Sequence, residues 1–230
     1  MRINICRAIY TMMIGVLLLD GVLASDNRAL NVDKQSLMDK LTAIKLTLAD
    51  SPTDIQQLKQ AGMINHQLAR LGVDKAAADA VMFLEQVIHI DANDNEALAY
   101  LGSAMTVQAK LSSSPMAKLS QVNRGLAFLD KAVKRDADNL RLRWLRASVC
   151  YALPKMFERQ PMAAADYRFI IHEQRAAQQF TPQRLAEIYY KLGKLSLEQG
   201  ENTEATGYFL QAQQIMPDSV WAKRAKKAQP

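Results

Sequence analysis

The sequence predicts an all-α fold, an α-solenoid in which pairs of helices stack on one another. The first observation is a stretch of apolar residues with helical spacing between Ala186 and Ser219, which the turn-forming Gly200 divides into two helices. The second is that weaker copies precede it, with first helices that start near residues 55, 95, 141 and 186. A helix pair with one apolar face cannot bury that face alone, so repeated pairs predict a stack.

The first 24 residues have the features of a secretory signal peptide. Arg2 and Arg7 come before or at the start of an apolar run over residues 8–19, and the segment ends in small residues at Ala24. The run is shorter than the roughly 20 residues that cross a bilayer. This favours cleavage after Ala24, with a mature chain that begins at Ser25, over the alternative of an uncleaved membrane anchor.

Cysteine usage gives an indication of the compartment. Removal of residues 1–24 leaves Cys150 as the only cysteine, so the mature chain forms no intramolecular disulfide. The spacing of Cys150 within a predicted helix core indicates a buried thiol. An exported chain with no disulfide and no Asn-x-Ser/Thr site fits a bacterial periplasm better than a eukaryotic secretory pathway. The predicted location is therefore periplasmic or secreted.

Residues 25–53 are predicted to form an N-terminal helix, over about 34–49, and a linker to the first repeated pair. The chain is 49% hydrophobic and 23% charged, a composition that supports a packed core rather than disorder. The mature chain is long enough to bury a sizeable core as one extended domain.

The last helix pair carries the clearest pattern. Its seven positions are Tyr189, Leu192, Gly193, Ala205, Phe209, Ala212 and Pro217. Glycine in the middle of a helix costs roughly 1 kcal/mol relative to alanine. Gly193 therefore predicts that a neighbouring helix crosses too closely for a Cβ atom. Pro217 ends the second helix.

This pattern resembles the tetratricopeptide repeat, W-x2-L-G-x2-Y…A-x3-F…P, with Ser196 where the pattern has Tyr. Fainter first-helix copies are Leu58-x2-Ala61-Gly62, Leu98-x2-Leu101-Gly102 and Trp144-x2-Ala147-Ser148. The resemblance covers about residues 54–219. It implies four helix pairs over residues 54–217 that form a right-handed superhelix, more than the roughly three pairs that a stable stack needs.

The earlier pairs are longer than the last one, and most of the extra residues lie between the two helices of a pair. The second pair contains residues 111–116, rich in Ser and Pro, and the third contains residues 153–162. Serine and proline end helices and start turns. These insertions are therefore either loops or helices that are lengthened by a turn.

Residues 218–230 are predicted to form a basic helix that caps the stack, with Val220 and Trp221 against its end. The net charge is +6, and four cations lie in the last ten residues: Lys223, Arg224, Lys226 and Lys227. Cations near a helix C-terminus complement the helix dipole. A solvated cap is therefore favoured over contact with anionic lipid or nucleic acid, and no nucleic-acid partner is predicted. A second basic cluster, Arg141, Arg143 and Arg146, alternates with Asp136 and Asp138 and is interpreted as a salt-bridged surface.

The sequence favours a protein that is not an enzyme. The three histidines, His66, His89 and His172, lie far apart, and no phosphate-binding loop, G-x-S-x-G or Cys-x2-Cys motif is present. Neither a metal nor another cofactor is predicted. An enzyme with an unrecognised site is the remaining alternative.

The resemblance to tetratricopeptide repeats implies a partner-binding groove lined by the first helix of each pair. By alignment, its residues are Ala99, Ser103, Thr106, Leu145, Val149, Tyr190, Lys194 and Leu197. The alternative for each of these is ordinary helix packing. The family's clamp for a C-terminal carboxylate combines Lys and Asn residues, and only Lys59 and Arg146 fall at comparable places here. No clamp is therefore predicted.

A second candidate surface is the insertion Leu153–Met162, which brings Met156 and Phe157 close together between two prolines. An exposed Met can adapt to different surfaces, and an exposed Phe can anchor an interface. The segment is therefore a candidate hot spot. The alternative is that Phe157 folds back onto its own helix pair.

The predicted function is a non-catalytic scaffold that binds a protein or peptide partner in the bacterial cell envelope, as an assembly or accessory factor. The alternative is a soluble component of a transport or secretion machine that docks at the membrane.

Overall fold

The computed structural model describes residues 24–173 and 176–229. The predicted signal peptide lies outside this range except for Ala24. The regular structure of the described residues is helical, as predicted. The helices are α1 (Ala24–Asp50), α2 (Ile55–Arg70), α3 (Ala76–Ile90), α4 (Asn95–Ala109), α5 (Pro115–Arg135), α6 (Leu140–Ala152), α7 (Gln160–His172), α8 (Ala176–Gln179), α9 (Pro182–Glu198), α10 (Asn202–Ile215) and α11 (Val220–Ala228). A short 3-10 helix spans Lys155–Phe157.

The first helix of each pair begins after a polar residue that accepts hydrogen bonds from its first turn. These residues are Asp54 before α2, Asp94 before α4, Asn139 before α6 and Thr181 before α9. Such side chains satisfy backbone N–H groups that have no partner inside the helix. The four caps fix where each pair starts.

The chain forms two compact units, which divide between Ala137 and Asp138. In the N-terminal unit, α2 packs on α3 and α4 on α5, α4 also packs on α2 and α3, and α1 packs on α2. In the C-terminal unit, α6 packs on α7, α7 on α9, and α9 on α10, while α11 packs on both α9 and α10. Each unit therefore stacks two helix pairs.

Helix α1 is longer than the predicted helix over about 34–49, because its backbone is already helical at Ala24. Residues 25–33 contain no Gly or Pro that would end a helix. Leu41 and Ile44 are buried and belong to the core of the N-terminal unit. These two residues, one turn apart, attach α1 to the first repeated pair.

Close helix crossings occur at the glycines of the first helices. A Cβ atom added to Gly193 would lie 2.5 Å from the ring of Phe209, which confirms the predicted close contact in the last pair. At Gly102, the added atom would lie 2.5 Å from the carbonyl oxygen of Gly125, and one added to Gly125 would lie equally close to that of Gly102. In the second pair, backbone therefore packs directly on backbone.

The two insertions have different structures. In the second pair the second helix is lengthened, so that Gly125 is the eleventh residue of α5, whereas its counterpart Ala205 is the fourth residue of α10. In the third pair the insertion is a turn that contains the 3-10 helix Lys155–Phe157. The sequence left both alternatives open, and each of them occurs once.

The C-terminal helix α11 packs against the last pair through Ala222 and Ala225, which are buried. The ring of Trp221 lies 5.5 Å from that of Tyr190. Val220, which was predicted to cover the end of the stack, is exposed because the helix turns its small residues inward. The thiol of Cys150 is fully buried in α6, as predicted.

Among residues 24–173 and 176–229, no helix combines the length and the hydropathy that crossing a bilayer requires.

Candidate partner-binding surfaces

In the N-terminal unit, the predicted groove residues Ala99, Ser103 and Thr106 are all buried in α4. A hydrogen bond of 2.8 Å joins the Oγ of Ser103 to the Nε2 of His66 in α2. The hydroxyl of Thr106 donates to the backbone oxygen of Ser103 at 2.7 Å. Ser103 is therefore used between α2 and α4 and Thr106 within α4, and a partner would not contact them directly in this conformation.

His66 is itself buried, and its ring meets Tyr100 edge-on at 5.3 Å between centroids. Burial, and then the positive charge of Arg70, lower the pKa of His66 to about 3. The imidazole is thus neutral at physiological pH. Its Nδ1 has no hydrogen-bond partner among the described residues.

The two cations at the places of the carboxylate clamp are both engaged with acidic side chains. The amine of Lys59 lies 3.0 Å from Asp94 and 3.6 Å from Glu96. Arg146 binds Asp166, with its Nε 2.7 Å from one carboxylate oxygen. These ion pairs neutralise both cations.

In the C-terminal unit, the predicted groove residues divide into two groups. Leu145 and Val149 of α6 are buried, whereas Tyr190, Lys194 and Leu197 of α9 are partly exposed. Tyr190 also contacts Phe209, at 6.0 Å between ring centroids. Of the eight groove residues, five are therefore core residues and three reach the surface.

A buried ion cluster around Asp166 was not predicted. This carboxylate of α7 is fully buried and accepts hydrogen bonds from Arg143 at 2.8 Å and from both Nε and a terminal nitrogen of Arg146 at 2.7 and 2.8 Å. Arg143 also lies over the ring of Phe169, 3.8 Å from its centroid. The basic cluster of α6 was interpreted as a salt-bridged surface, and two of its members, Arg143 and Arg146, share a carboxylate in the core.

A second polar cluster lies on α9. The amine of Lys191 is 2.7 Å from Glu187 and 3.5 Å from the hydroxyl of Tyr167, and it also faces the ring of Tyr151 at 5.1 Å. Burial is the main reason why the pKa values of both tyrosines are raised. The phenols therefore stay protonated beside the ion pairs that Glu187 forms with Lys191 and Arg184.

The turn of the third pair, residues 153–162, presents a different surface. Met156 is 60% exposed, as a partner contact requires, while Phe157 is half-buried. The burial of Phe157 fits the alternative in which it folds back onto its own helix pair. The amine of Lys155 lies 3.1 Å from Glu198 at the end of α9. Beside this pair is an open cleft of about 530 Å³, lined by Lys155, Glu158, Gln160, Pro161, Leu195, Glu198 and Gln199.

The described residues contain no group of three or more His, Cys, Asp or Glu that could hold a metal ion.

Comparison with known proteins gives matches among solved structures only, since no protein-family model and no curated protein matches the sequence. TTC0263, a thermophilic TPR protein of Thermus thermophilus, is 20% identical with a TM-score of 0.61, over 82% of this chain and 88% of that one. MamA is 18% identical with a TM-score of 0.54, over 89% of this chain and 98% of that one. The chain has the tetratricopeptide-repeat fold.

A third structure with this fold is YrrB, described as a TPR protein with an unusual peptide-binding site. It is 17% identical, with a TM-score of 0.50, over 84% of each chain. The tetratricopeptide-repeat fold accounts for the helix pairs, for the small residues at their crossings and for the aromatic contact of Gly193.

Proposed function

We propose that the chain is a non-catalytic scaffold that binds a protein or peptide partner through the turn of its third helix pair. One observation carries this proposal. Five of the eight groove residues are buried, whereas Met156 is 60% exposed in a turn whose Lys155 and Glu158 line an open cleft. A large, flexible apolar side chain next to a cleft is a suitable anchor for a partner.

The turn is held in one conformation by backbone hydrogen bonds. The N–H of Phe157 donates to the oxygen of Pro154 at 3.0 Å, and that of Glu158 donates to the oxygen of Lys155 at 2.9 Å. The side chain of Gln160 also donates to the oxygen of Leu153 at 2.9 Å. An ordered turn loses little entropy on binding, which favours affinity.

The lining of the cleft indicates the chemistry of the partner. Pro161 and Leu195 supply apolar surface, and Lys155, Glu158 and Glu198 supply charges of both signs at the rim. An apolar side chain of the partner, flanked by polar groups, would match this arrangement. The fold of YrrB, described as having a peptide-binding site, supports a peptide or protein ligand.

The proposed compartment is the bacterial cell envelope, as periplasmic or secreted protein. It rests on the basic, apolar and small-residue segments of residues 1–24. Within that compartment, an assembly or accessory factor is the preferred role, and a soluble component of a transport or secretion machine is the second candidate.

Affinity purification of the tagged, exported protein, followed by mass spectrometry, tests the proposal. Met156→Ser should lose the co-purified partner and keep the thermal unfolding midpoint, because the side chain is exposed. The matched control is Leu210→Ser, which changes a similarly exposed side chain on α10 and should keep the partner. The intact mass of the recovered protein should correspond to a chain that begins at Ser25.

Phe157→Ala separates the two alternatives for this turn. A lower unfolding midpoint with the partner retained assigns Phe157 to the core. If Met156→Ser also retains the partner, binding takes place elsewhere and the proposal is wrong.

A further inference from the structure

The second helix pair of the N-terminal unit ends in an apolar projection. Leu111 and Met116 are 72% and 75% exposed, the highest values for large apolar side chains among the described residues, and Leu119 is 39% exposed. These three residues lie in the turn before α5 and in its first two turns. Core contacts of α5 begin only at Val122. The start of α5 therefore extends beyond the packed part of the pair.

This projection is nevertheless a well-formed helix end. The hydroxyl of Ser114 accepts a hydrogen bond from the N–H of Ala117 at 3.3 Å, and Pro115 occupies the first turn, where proline favours a helix. At its base, the amide of Gln121 donates to Gln108 of α4 at 3.2 Å. The apolar side chains are thus held in place outside the core.

The charged residues of the projecting segment itself are all basic. Between Lys110 and Leu129 the sequence contains Lys110, Lys118 and Arg124 and no acidic residue. Arg124 lies 3.5 Å from Glu85, on α3, and is partly neutralised there. The pKa of Lys110 is lowered by burial and then by the positive charge of Arg70. Arg70 is therefore a further cation close to this segment.

We propose that the basic apolar tip, defined as Lys110, Leu111, Met116, Lys118 and Leu119, docks on the surface of an anionic lipid bilayer. Leucine and methionine side chains can enter the boundary between headgroups and acyl chains, while flanking lysines meet lipid phosphates. Lys110 and Lys118 complement the negative charge of lipid phosphates, and this complementarity selects a bilayer as the occupant. This contact is separate from the partner-binding turn of the C-terminal unit.

Co-sedimentation with vesicles tests this contact on the full chain. Vesicles of phosphatidylcholine mixed with phosphatidylglycerol should bind the protein, and vesicles of phosphatidylcholine alone should bind it more weakly. The combined variant Leu111→Ser, Met116→Ser, Leu119→Ser should weaken binding by about tenfold or more. Each substitution removes the free energy that is gained when an apolar side chain leaves water. The control Leu46→Ser, at a residue of α1 that is 69% exposed, should bind as the wild type does.

The charge is tested separately. Lys110→Gln with Lys118→Gln should reduce binding to the anionic vesicles, and Lys110→Arg with Lys118→Arg should retain it. If replacement of Lys223, Lys226 and Lys227 by Gln abolishes binding while the apolar variant binds normally, the C-terminal helix is the contact and the tip proposal is wrong. Failure of the wild type to bind anionic vesicles overturns it as well, and capture of an acidic protein through the tip without vesicle binding assigns the tip to a protein.

A local probe separates a contact at the tip from a contact elsewhere in the chain, the apolar run at residues 8–19 included. Met116→Trp should shift its fluorescence to shorter wavelength when anionic vesicles are added, because the indole enters the headgroup boundary. Leu46→Trp provides the matched control and should show no shift. Equal responses at the two positions contradict a specific contact at the tip.

Discussion

The two units differ in whether their buried polar side chains are neutral or charged. In the N-terminal unit, the neutral His66 and Ser103 share one hydrogen bond between α2 and α4. In the C-terminal unit, Asp166 is fully buried with Arg143 and Arg146 around it. A neutral pair loses one hydrogen bond when it is broken, whereas a broken ion cluster leaves buried charge without compensation. Similar helix pairs can therefore depend on single polar residues to very different degrees.

Removal of the buried carboxylate should have the largest effect. Asp166→Ala leaves two arginines without their shared acceptor and should lower the free energy of unfolding of the C-terminal unit by about 3–5 kcal/mol. Ser103→Ala, its counterpart in the N-terminal unit, should cost about 1–3 kcal/mol through the unsatisfied imidazole. Hydrogen exchange of backbone amides, followed by mass spectrometry of peptides from each unit, measures both effects. Equal losses of unfolding free energy in the two variants would contradict this difference between charged and neutral contacts.

Substitutions at the helix crossings should differ less in their cost to stability than substitutions at the buried polar sites. Overpacking costs about 1–3 kcal/mol, and Gly102→Ala should lie at the upper end because the added Cβ atom meets a backbone oxygen. Gly193→Ala should cost less, since the ring of Phe209 can turn or shift. Gly207 in α10 is the matched control, because its surroundings are open and Ala there should stabilise the helix by up to about 1 kcal/mol. Thermal unfolding ranks the three variants, and a larger loss at Gly193 would show that the ring is the more rigid contact.

Acid should weaken the N-terminal unit through His66. Its pKa is lowered from 6.5 to about 3 in the folded state, so the unfolded chain binds more protons between these values. This contribution is therefore fully present above pH 6.5 and is lost as the pH falls, by about 2 kcal/mol between pH 7 and pH 5. His66→Phe should remove this pH dependence from hydrogen exchange in the N-terminal unit, and the exposed His89→Gln should not. A wild-type profile that is flat between these pH values contradicts the buried neutral imidazole.

Fixed offsets made the helix crossings predictable from the sequence. The spacing of Gly193, Ala205 and Phe209 is set by two helices and a short turn, so the contact of Gly193 with the second helix follows from the repeat pattern alone. In the second pair the corresponding small residues, Gly102 and Gly125, lie 23 residues apart, and this longer spacing did not show whether the extra residues form a loop or a helix. Ser114 and Pro115 were the available signals that the inserted residues continue α5 as helix.

Burial of individual groove residues was less predictable. Alignment placed Ala99 and Ser103 on the inner face of α4, but their exposure depends on how closely α2 approaches, and the spacing in one helix carries no information on that distance. Asp166 was missed because it lies within an apolar stretch. The spacing of Arg143 and Arg146, one turn apart on one face, was the signal for a shared acceptor.

The contact between Gly102 and Gly125 has an evolutionary consequence. Each glycine faces the backbone oxygen of the other, so a larger residue at one position cannot be accommodated by a smaller side chain at the other. A larger residue at Gly193 can be accommodated, because replacement of Phe209 by a smaller residue would open the required space. Among descendants of this sequence, positions 193 and 209 should therefore vary together, while positions 102 and 125 stay unchanged as a pair.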